Sequence, residues 1–293
     1  MTVISLVQGS LRLILDPVHG GIVRRFTLTL DDDGEVDLLR PMPDGSTNVL
    51  DAACFPLIPF SNRIGFGRFR FDGREMKMPP NFPPEPHVIH GHGWRSRWEV
   101  TDIADDGCTI AYRHPGSDWP WRYRATQAFV LTDAALTVHL TLTNLDTRPM
   151  PAGIGLHPYF PKYPGARLNA ALDHVWINDE AKLPSRRMPL DSLPVSSLLT
   201  ADLDNCFGGW NGRASLSWET PGLSLDIEAD WPFDHLVIYV PPGEDHFCVE
   251  PVSHANDAVN LAARGVDDVG FRALGRDESL SGSIRFRVRA GAG

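Results

Sequence analysis

Apolar residues in this chain recur mainly at every second position, the spacing of a strand with one covered and one wet face. The clearest stretch runs from Trp121 to Leu145. There Leu136, Val138, Leu140 and Leu142 alternate with Thr137, His139, Thr141 and Thr143, while Tyr123, Ala125 and Phe129 precede them across Thr132-Asp133-Ala134-Ala135. Two such runs around a short polar turn predict a hairpin. Shorter runs at Arg12–Leu15, Phe26–Leu30, Thr109–Arg113, Ala214–Trp218, Leu223–Ala229, His235–Tyr239 and Phe247–Glu250 predict further strands, and helical periodicity is scarce. Segments such as Met78-Pro79-Pro80-Asn81-Phe82-Pro83-Pro84-Glu85-Pro86 and Pro241-Pro242-Gly243-Glu244 read as loops, because proline breaks ladders and glycine supplies turns. No composition shift, charge block or repeat marks a boundary. The expected architecture is all-β: one large antiparallel β-sandwich domain over residues 1–293, with a few short helices and a frayed Ala290-Gly291-Ala292-Gly293 end.

Composition narrows the partners. With 293 residues, 42% hydrophobic and 22% charged, the chain is long and apolar enough for a large core, which excludes a disordered tail or a disulfide-stapled miniprotein. Its 27 basic and 37 acidic residues give a net charge of -10 with no basic run, so nucleic acid and anionic membrane surfaces are poor partners. The opening residues lack the basic and long apolar regions of a leader, and no segment approaches the ~20 apolar residues of a membrane span. A soluble, cytoplasmic protein is the expectation. Cys54, Cys108, Cys206 and Cys248 form no Cys-x-x-Cys pair and read as buried thiols.

Candidate chemistry gathers where polar residues sit among Gly, Pro and aromatics. Arg63, within Phe55-Pro56-Leu57-Ile58-Pro59-Phe60-Ser61-Asn62-Arg63-Ile64, needs a carboxylate or a ligand oxygen for its permanent charge. His87, His90 and His92 crowd one Gly-containing loop before Trp94. The His-x-His spacing resembles the first cupin motif, but the acidic residue that should follow comes only at Glu99, and no metal is expected. His157 precedes Pro158, which forces an extended backbone and aims the ring. Glu250 ends an apolar run before Pro251, which places the carboxyl at a sheet rim beside buried surface, where desolvation lifts it toward general-base range. Asp204, in Asp202-Leu203-Asp204-Asn205-Cys206-Phe207, reads equally as an Asx-turn residue. A Gly-x-Ser-x-Gly elbow, a Gly-Lys-Ser/Thr phosphate loop and a Gly-x-Gly-x-x-Gly fingerprint are all missing, and nothing calls for a cofactor.

Taken in order, these segments resemble the aldose 1-epimerase (galactose mutarotase) family. The matching elements are Asn62-Arg63-Ile64 with Gly67, Phe69, Phe71 and Gly73; His90-Gly91 with Trp94; His157-Pro158-Tyr159-Phe160; Asp204 with Phe207; and Glu250-Pro251 with Ser253, Asp257, Ala258 and Asn260. The resemblance covers about Asn62 to Asn260. It implies a galactose mutarotase-like sandwich with an open cleft for a small-molecule monosaccharide, and neither metal nor cofactor. It further implies that Glu250 is the general base at the anomeric hydroxyl, that His157 is the general acid at the ring oxygen, and that His90, Arg63 and Asp204 bind the sugar. Two departures, Phe66 and Asn256, are expected to bear on substrate choice. His87 has no implied role, and His92 competes with His90 for its position.

Other readings make distinct demands. A sugar-phosphate epimerase needs a basic pocket, for which Arg95, Arg97 or Arg186-Arg187 are candidates. A carbohydrate-binding module would stack its tryptophans on sugar rings and leave an aimed acid and base unused. A glycoside hydrolase would pair Asp204 with Glu250 and leave the histidines idle.

Overall fold

In the computed structural model, which describes residues 3–30, 34–190, 199–200 and 202–290, two large antiparallel sheets face each other. The first runs, edge to edge, through Ile4–Gln8, Leu11–Asp16, Ile22–Thr29, Cys54–Leu57, Gly155–Pro161, His246–Val252, His235–Val240, Leu203–Gly208, His174–Asn178 and Pro184–Pro189. The short strand Glu35–Asp37 flanks Ile22–Thr29. The second runs through Glu99–Ile103, Gly107–Pro115, Arg122–Leu131, Ala135–Asn144, Ser279–Ala290, Leu223–Ala229, Arg213–Trp218 and Arg167–Ala170. The expected all-β sandwich is observed. Among the described residues Ala258–Ala263 is the one α-helix, beside three single-turn 3-10 segments, and no helix is long and apolar enough to cross a membrane.

The second sheet follows the alternation in the sequence. Tyr123, Ala125, Phe129 and Leu131 on one strand and Leu136, Val138, Leu140 and Leu142 on the next point inward, paired from Tyr123–Asn144 to Leu131–Leu136. Thr137, Thr141 and Thr143 lie on the wetter face. Gln127 is the polar intruder on the inner face, and its amide donates to the Gly21 carbonyl at 2.8 Å. Each predicted strand falls within an observed one, except that Leu30 lies just past the end of Ile22–Thr29. At the C-terminal end Ala290 closes the strand Ser279–Ala290, and Gly291-Ala292-Gly293 lie outside the described residues.

The first sheet is buried on both faces at its centre. Leu156, Phe160, Phe247, Val249, Leu236, Ile238 and Phe207 pack toward the second sheet in the main core. The alternate positions Phe55, Leu57, Tyr159, Cys248, Val237 and Cys206 pack in a second cluster beneath the connections that cross the outer face. Those connections carry the short pairs Arg63–Ile64 with Val88–Ile89 and Arg68–Phe71 with Arg74–Lys77. All four cysteines are buried free thiols, as expected.

Two expectations need correction. Glu250 does not end its strand: the ladder runs to Val252, so the carboxyl rises from mid-strand at the sheet centre. Pro251 is tolerated there because the neighbouring Gly155–Pro161 strand pairs at Gly155–Val252 and again at Tyr159–Cys248, and the open interval holds both Pro158 and Pro251, neither with an N–H to give. Asp204 is not in an Asx turn; it lies on the strand Leu203–Gly208, opposite Tyr239.

Because Leu156 belongs to the core between the sheets, Leu156→Ala is expected to cost about 2–5 kcal/mol of folding stability, measured by urea denaturation.

Candidate active site

Alternation along the first sheet separates core from cleft. His157 and Tyr159, Glu250, Val237 and Tyr239, and Asp204 all project from the outer face and line one cleft of about 340 Å³. That is within the usual range of small-molecule sites. The crossing connections supply the walls: Leu50, Asn62, Arg63, Phe82, Glu85, Ile89, His90, Trp94 and Lys182. All five predicted site residues, Arg63, His90, His157, Asp204 and Glu250, therefore meet in one place.

His157 and Glu250 are brought together by register. Continuing the Gly155–Val252 pairing inward sets position 157 opposite 250, and His157 Nε2 lies 3.3 Å from Glu250 Oε1. Both are almost wholly buried, at 6% and 2% exposure, while still lining the cleft. Burial holds the Glu250 carboxyl well above the usual carboxylate range; Asp204 adds to this and Arg63 opposes it. Burial lowers His157 to about 3, and the Arg40 and His246 charges push the same way. The surroundings thus favour a protonated carboxyl beside a neutral imidazole.

His90 is fixed by reciprocal backbone contacts. The Asn62 N–H donates to His90 Nδ1 at 3.1 Å, and the His90 N–H donates to the Asn62 carbonyl at 2.9 Å. Since Nδ1 accepts, the neutral ring carries its proton on Nε2, which makes it a donor there. Burial, then the charges of His157, Arg63 and Arg95, lower its proton affinity well below the ordinary range. Both Asn62 and His90 adopt left-handed backbone, with φ of 55° and 60°. Gly91 follows at φ 65°, where a Cβ would stand 2.3 Å from the Ile58 carbonyl oxygen, so this turn accepts only glycine.

Arg63 is a cleft residue and an ion-pair partner at once. Its Nη2 donates to Asp204 Oδ2 at 3.0 Å, its Nη1 donates to Asn62 Oδ1 at 3.0 Å, and Glu85 Oε2 lies 3.5 Å from Nε. The Asn256 amide accepts from the Arg63 N–H at 3.1 Å and donates to the Lys182 carbonyl at 3.0 Å. Asn256 thereby joins two walls of the cleft. Phe66, the other departure from the family pattern, is exposed and does not line the cleft.

The remaining histidines of the cluster face elsewhere. His87 accepts from the Phe66 N–H at 2.9 Å and donates to the Ala181 carbonyl at 2.7 Å, which fastens the loop carrying Lys182. His92 packs on His114 with ring centroids 4.6 Å apart and does not compete for the position of His90. The His-x-His pair therefore does not converge as a cupin-type ligand set would require. Glu85, Lys182 and Tyr239 line the cleft without having been singled out in the sequence. Tyr239 alternates with Val237 on one strand, which is a readable signal; Glu85 lies inside a proline run and Lys182 in a hairpin tip, where period gives none.

Comparison with known proteins finds relatives in both sequence and fold. The aldose 1-epimerase family model matches residues 3–284. The uncharacterized protein YphB of Escherichia coli K12 is 35% identical over 300 residues, covering 98% of this chain and 99% of its own length. A crystal structure from the same organism, described provisionally as an aldose 1-epimerase, superposes with a TM-score of 0.86 at 33% identity over 99% of both chains. A galactose mutarotase-like protein from Clostridium acetobutylicum shares the fold, with a TM-score of 0.83 at 21% identity over 98% of this chain and 95% of its own.

A buried histidine held neutral ties stability to pH. His254 accepts from the Ser61 N–H and donates to the Ala255 carbonyl, and burial lowers it to about 4. The unfolded chain, with His near 6.5, binds the extra proton first, so the stabilisation is complete above ~6.5 and is lost as pH falls toward the folded value. The stability gap between wild type and His254→Gln should narrow by about 1 kcal/mol per pH unit across that window, measured by urea denaturation.

Proposed function

The chain belongs to the aldose 1-epimerase family, and from that premise we propose that it interconverts the α and β anomers of a free aldose. The observation that carries this reading is the pairing of His157 with Glu250 at 3.3 Å on the floor of a cleft lined with further hydrogen-bonding groups.

Anomer exchange requires one proton removed from O1 and one delivered to the ring oxygen, so that the C1–O5 bond opens. Rotation about C1–C2 then presents the other face of the aldehyde, and the reverse transfers close the ring. Glu250 takes the O1 proton and His157 gives one to O5; on closure Glu250 returns its proton to O1 and His157 recovers one from O5. The protons balance over the cycle. Ring opening leaves the carboxyl protonated and the imidazole neutral, the state that burial favours at both groups. The open-chain intermediate is thus the one matched to the dry floor of the cleft, and each group accounts for about 10²–10⁴-fold of rate.

The walls position the ring. His90 donates from Nε2 toward the reacting end, while Arg63 and the partly exposed Asp204 carboxylate hold sugar hydroxyls. The charge of the cleft favours a neutral sugar over a phosphorylated one. Of its two described cations, Arg63 is ion-paired to Asp204 and approached by Glu85, so a phosphate would meet Lys182 alone. Arg95 lies over the Trp94 ring and Arg187 pairs with Asp268, so neither assembles a phosphate pocket.

Freshly dissolved α-D-glucose or α-D-galactose should lose optical rotation faster with the protein than without it. Glu250→Gln and His157→Asn should each lower kcat by about 10²–10⁴-fold. Wild-type rates in both variants would overturn the assignment. Glucose 6-phosphate should be a poorer substrate than glucose by kcat/KM.

A further inference from the structure

The His157 ring takes no orienting hydrogen bond from another residue: among the described residues the buried Nδ1 has only its own backbone beside it. Its plane is set by stacking instead. Phe55 packs on it at 4.4 Å between centroids and 27° between planes and Tyr159 at 4.6 Å and 29°, while Phe55 and Tyr159 themselves lie 6.0 Å apart at 53°, so the two rings meet the imidazole from directions about at right angles. The stack continues outward. Trp94 covers Phe55 at 5.4 Å and 28°, the Arg95 guanidinium lies 4.2 Å from the Trp94 centroid, and the Arg40 guanidinium lies 4.1 Å from the Tyr159 centroid. Four rings from two strands and a connecting turn thus form one bent column that turns at His157, with a cation at each end.

Neither cation has a carboxylate partner among the described residues. Arg40 donates to the Leu50 and Ala52 carbonyls at 2.8 and 3.2 Å and approaches His246 Nδ1 at 3.4 Å; Arg95 donates to the Asn81 carbonyl. Carbonyls orient a guanidinium without neutralising it, so both charges act along the column. A cation over an aromatic face is attracted to it, which tightens the stack from both ends. The Arg40 charge also opposes a positive charge on the imidazole, whereas the Arg95 charge acts on His90.

We infer that Arg40 and Arg95 are positioning residues for the proposed reaction, acting through the bent Tyr159–His157–Phe55–Trp94 column to fix the plane of the His157 imidazole, with Arg40 also opposing a lasting charge on it. This rests on the anomer-exchange reading for its role in turnover, but the column can be tested without turnover. The other ionisable groups around His157 are Glu250, Cys248 and His246 on the adjacent strand, Tyr159 on its own, Cys54 on the strand opposite, and His90, whose ring centroid is 5.4 Å away. All of them remain in the variants.

Arg40→Met and Arg95→Met keep an aliphatic stem and remove the charge, while Arg40→Lys restores charge without the planar face. The His157 side-chain resonances, assigned by difference with His157→Asn, are titrated downward from neutral pH by NMR, alongside kcat and KM from polarimetry. Arg40→Met should raise the His157 midpoint by about one pH unit, and Arg95→Met should change the His157 ring chemical shifts without moving the midpoint. Arg40→Met should also lower kcat about tenfold with KM within about twofold, and Arg40→Lys should return the midpoint to the wild-type value. An unchanged midpoint in Arg40→Met would overturn the inference, and unchanged His157 ring shifts in Arg95→Met would overturn it from the far end if Arg40→Met does not fold. Wild type without anomer exchange, but with the midpoint shifted in Arg40→Met, would end the functional reading and leave the column standing.

Discussion

An imidazole and a carboxyl side by side in the dry centre of a β-sheet pose a severe electrostatic constraint, and the surroundings of His157 and Glu250 are organised around it. Each group loses its hydration, and neither bears charge easily there. Their mutual contact at 3.3 Å lets a single proton serve both. The sheet makes this geometry possible because the strands carrying them pair on either side of the interval that holds Pro158 and Pro251. Two prolines facing one gap remove the N–H groups that would otherwise need partners. The same gap frees the side chains from a regular ladder at the one level where they must reach the cleft.

Two other buried histidines are fixtures, and their hydrogen bonds tell them apart from the proposed catalytic pair. His87 and His254 each accept from a backbone N–H and donate to a backbone carbonyl, so both ring nitrogens are spent on holding loops together. His90 is committed on Nδ1 alone and keeps Nε2 for the cleft. His157 makes no ring hydrogen bond to the backbone of another residue, so these four imidazoles run from both nitrogens spent to a ring held by its neighbours' faces.

The sandwich was legible in the sequence where one face of a sheet meets water. Leu136 to Leu142 alternating with threonines places its strand without ambiguity, because solvent keeps the outer positions polar. The central strands of the first sheet are covered on both sides, so Gly155–Pro161 and His246–Val252 read as unbroken apolar runs, and Pro251 looks like a terminus. That is why Glu250 was expected at a rim. The five site residues were legible through the order of their motifs, which preserves the chemistry of each segment whatever its period. Glu85 and Lys182 were not, since a loop residue acquires its place from what it packs on. The Arg40 stack was equally hidden: Arg40 lies more than a hundred positions from Tyr159 in a segment without motif or period, and only the folded sheet brings them together.

What the fold supplies to chemistry, then, is less a set of reactive groups than a bias between two placements of one proton. A solvated glutamate and histidine near neutral pH would hold the proton on the imidazole, as their ordinary affinities dictate. Burial at the floor of this cleft acts against that order, raising the carboxyl and lowering the ring. The closer the two placements come in energy, the smaller the cost of passing a proton through the sugar from one to the other. The proposed mutarotation gains from this bias because it must run forwards and backwards through the same open-chain intermediate. Arg63 and Asp204 pull Glu250 in opposite directions while bound to each other, so the ion pair proposed to hold the sugar also limits how far the carboxyl is raised.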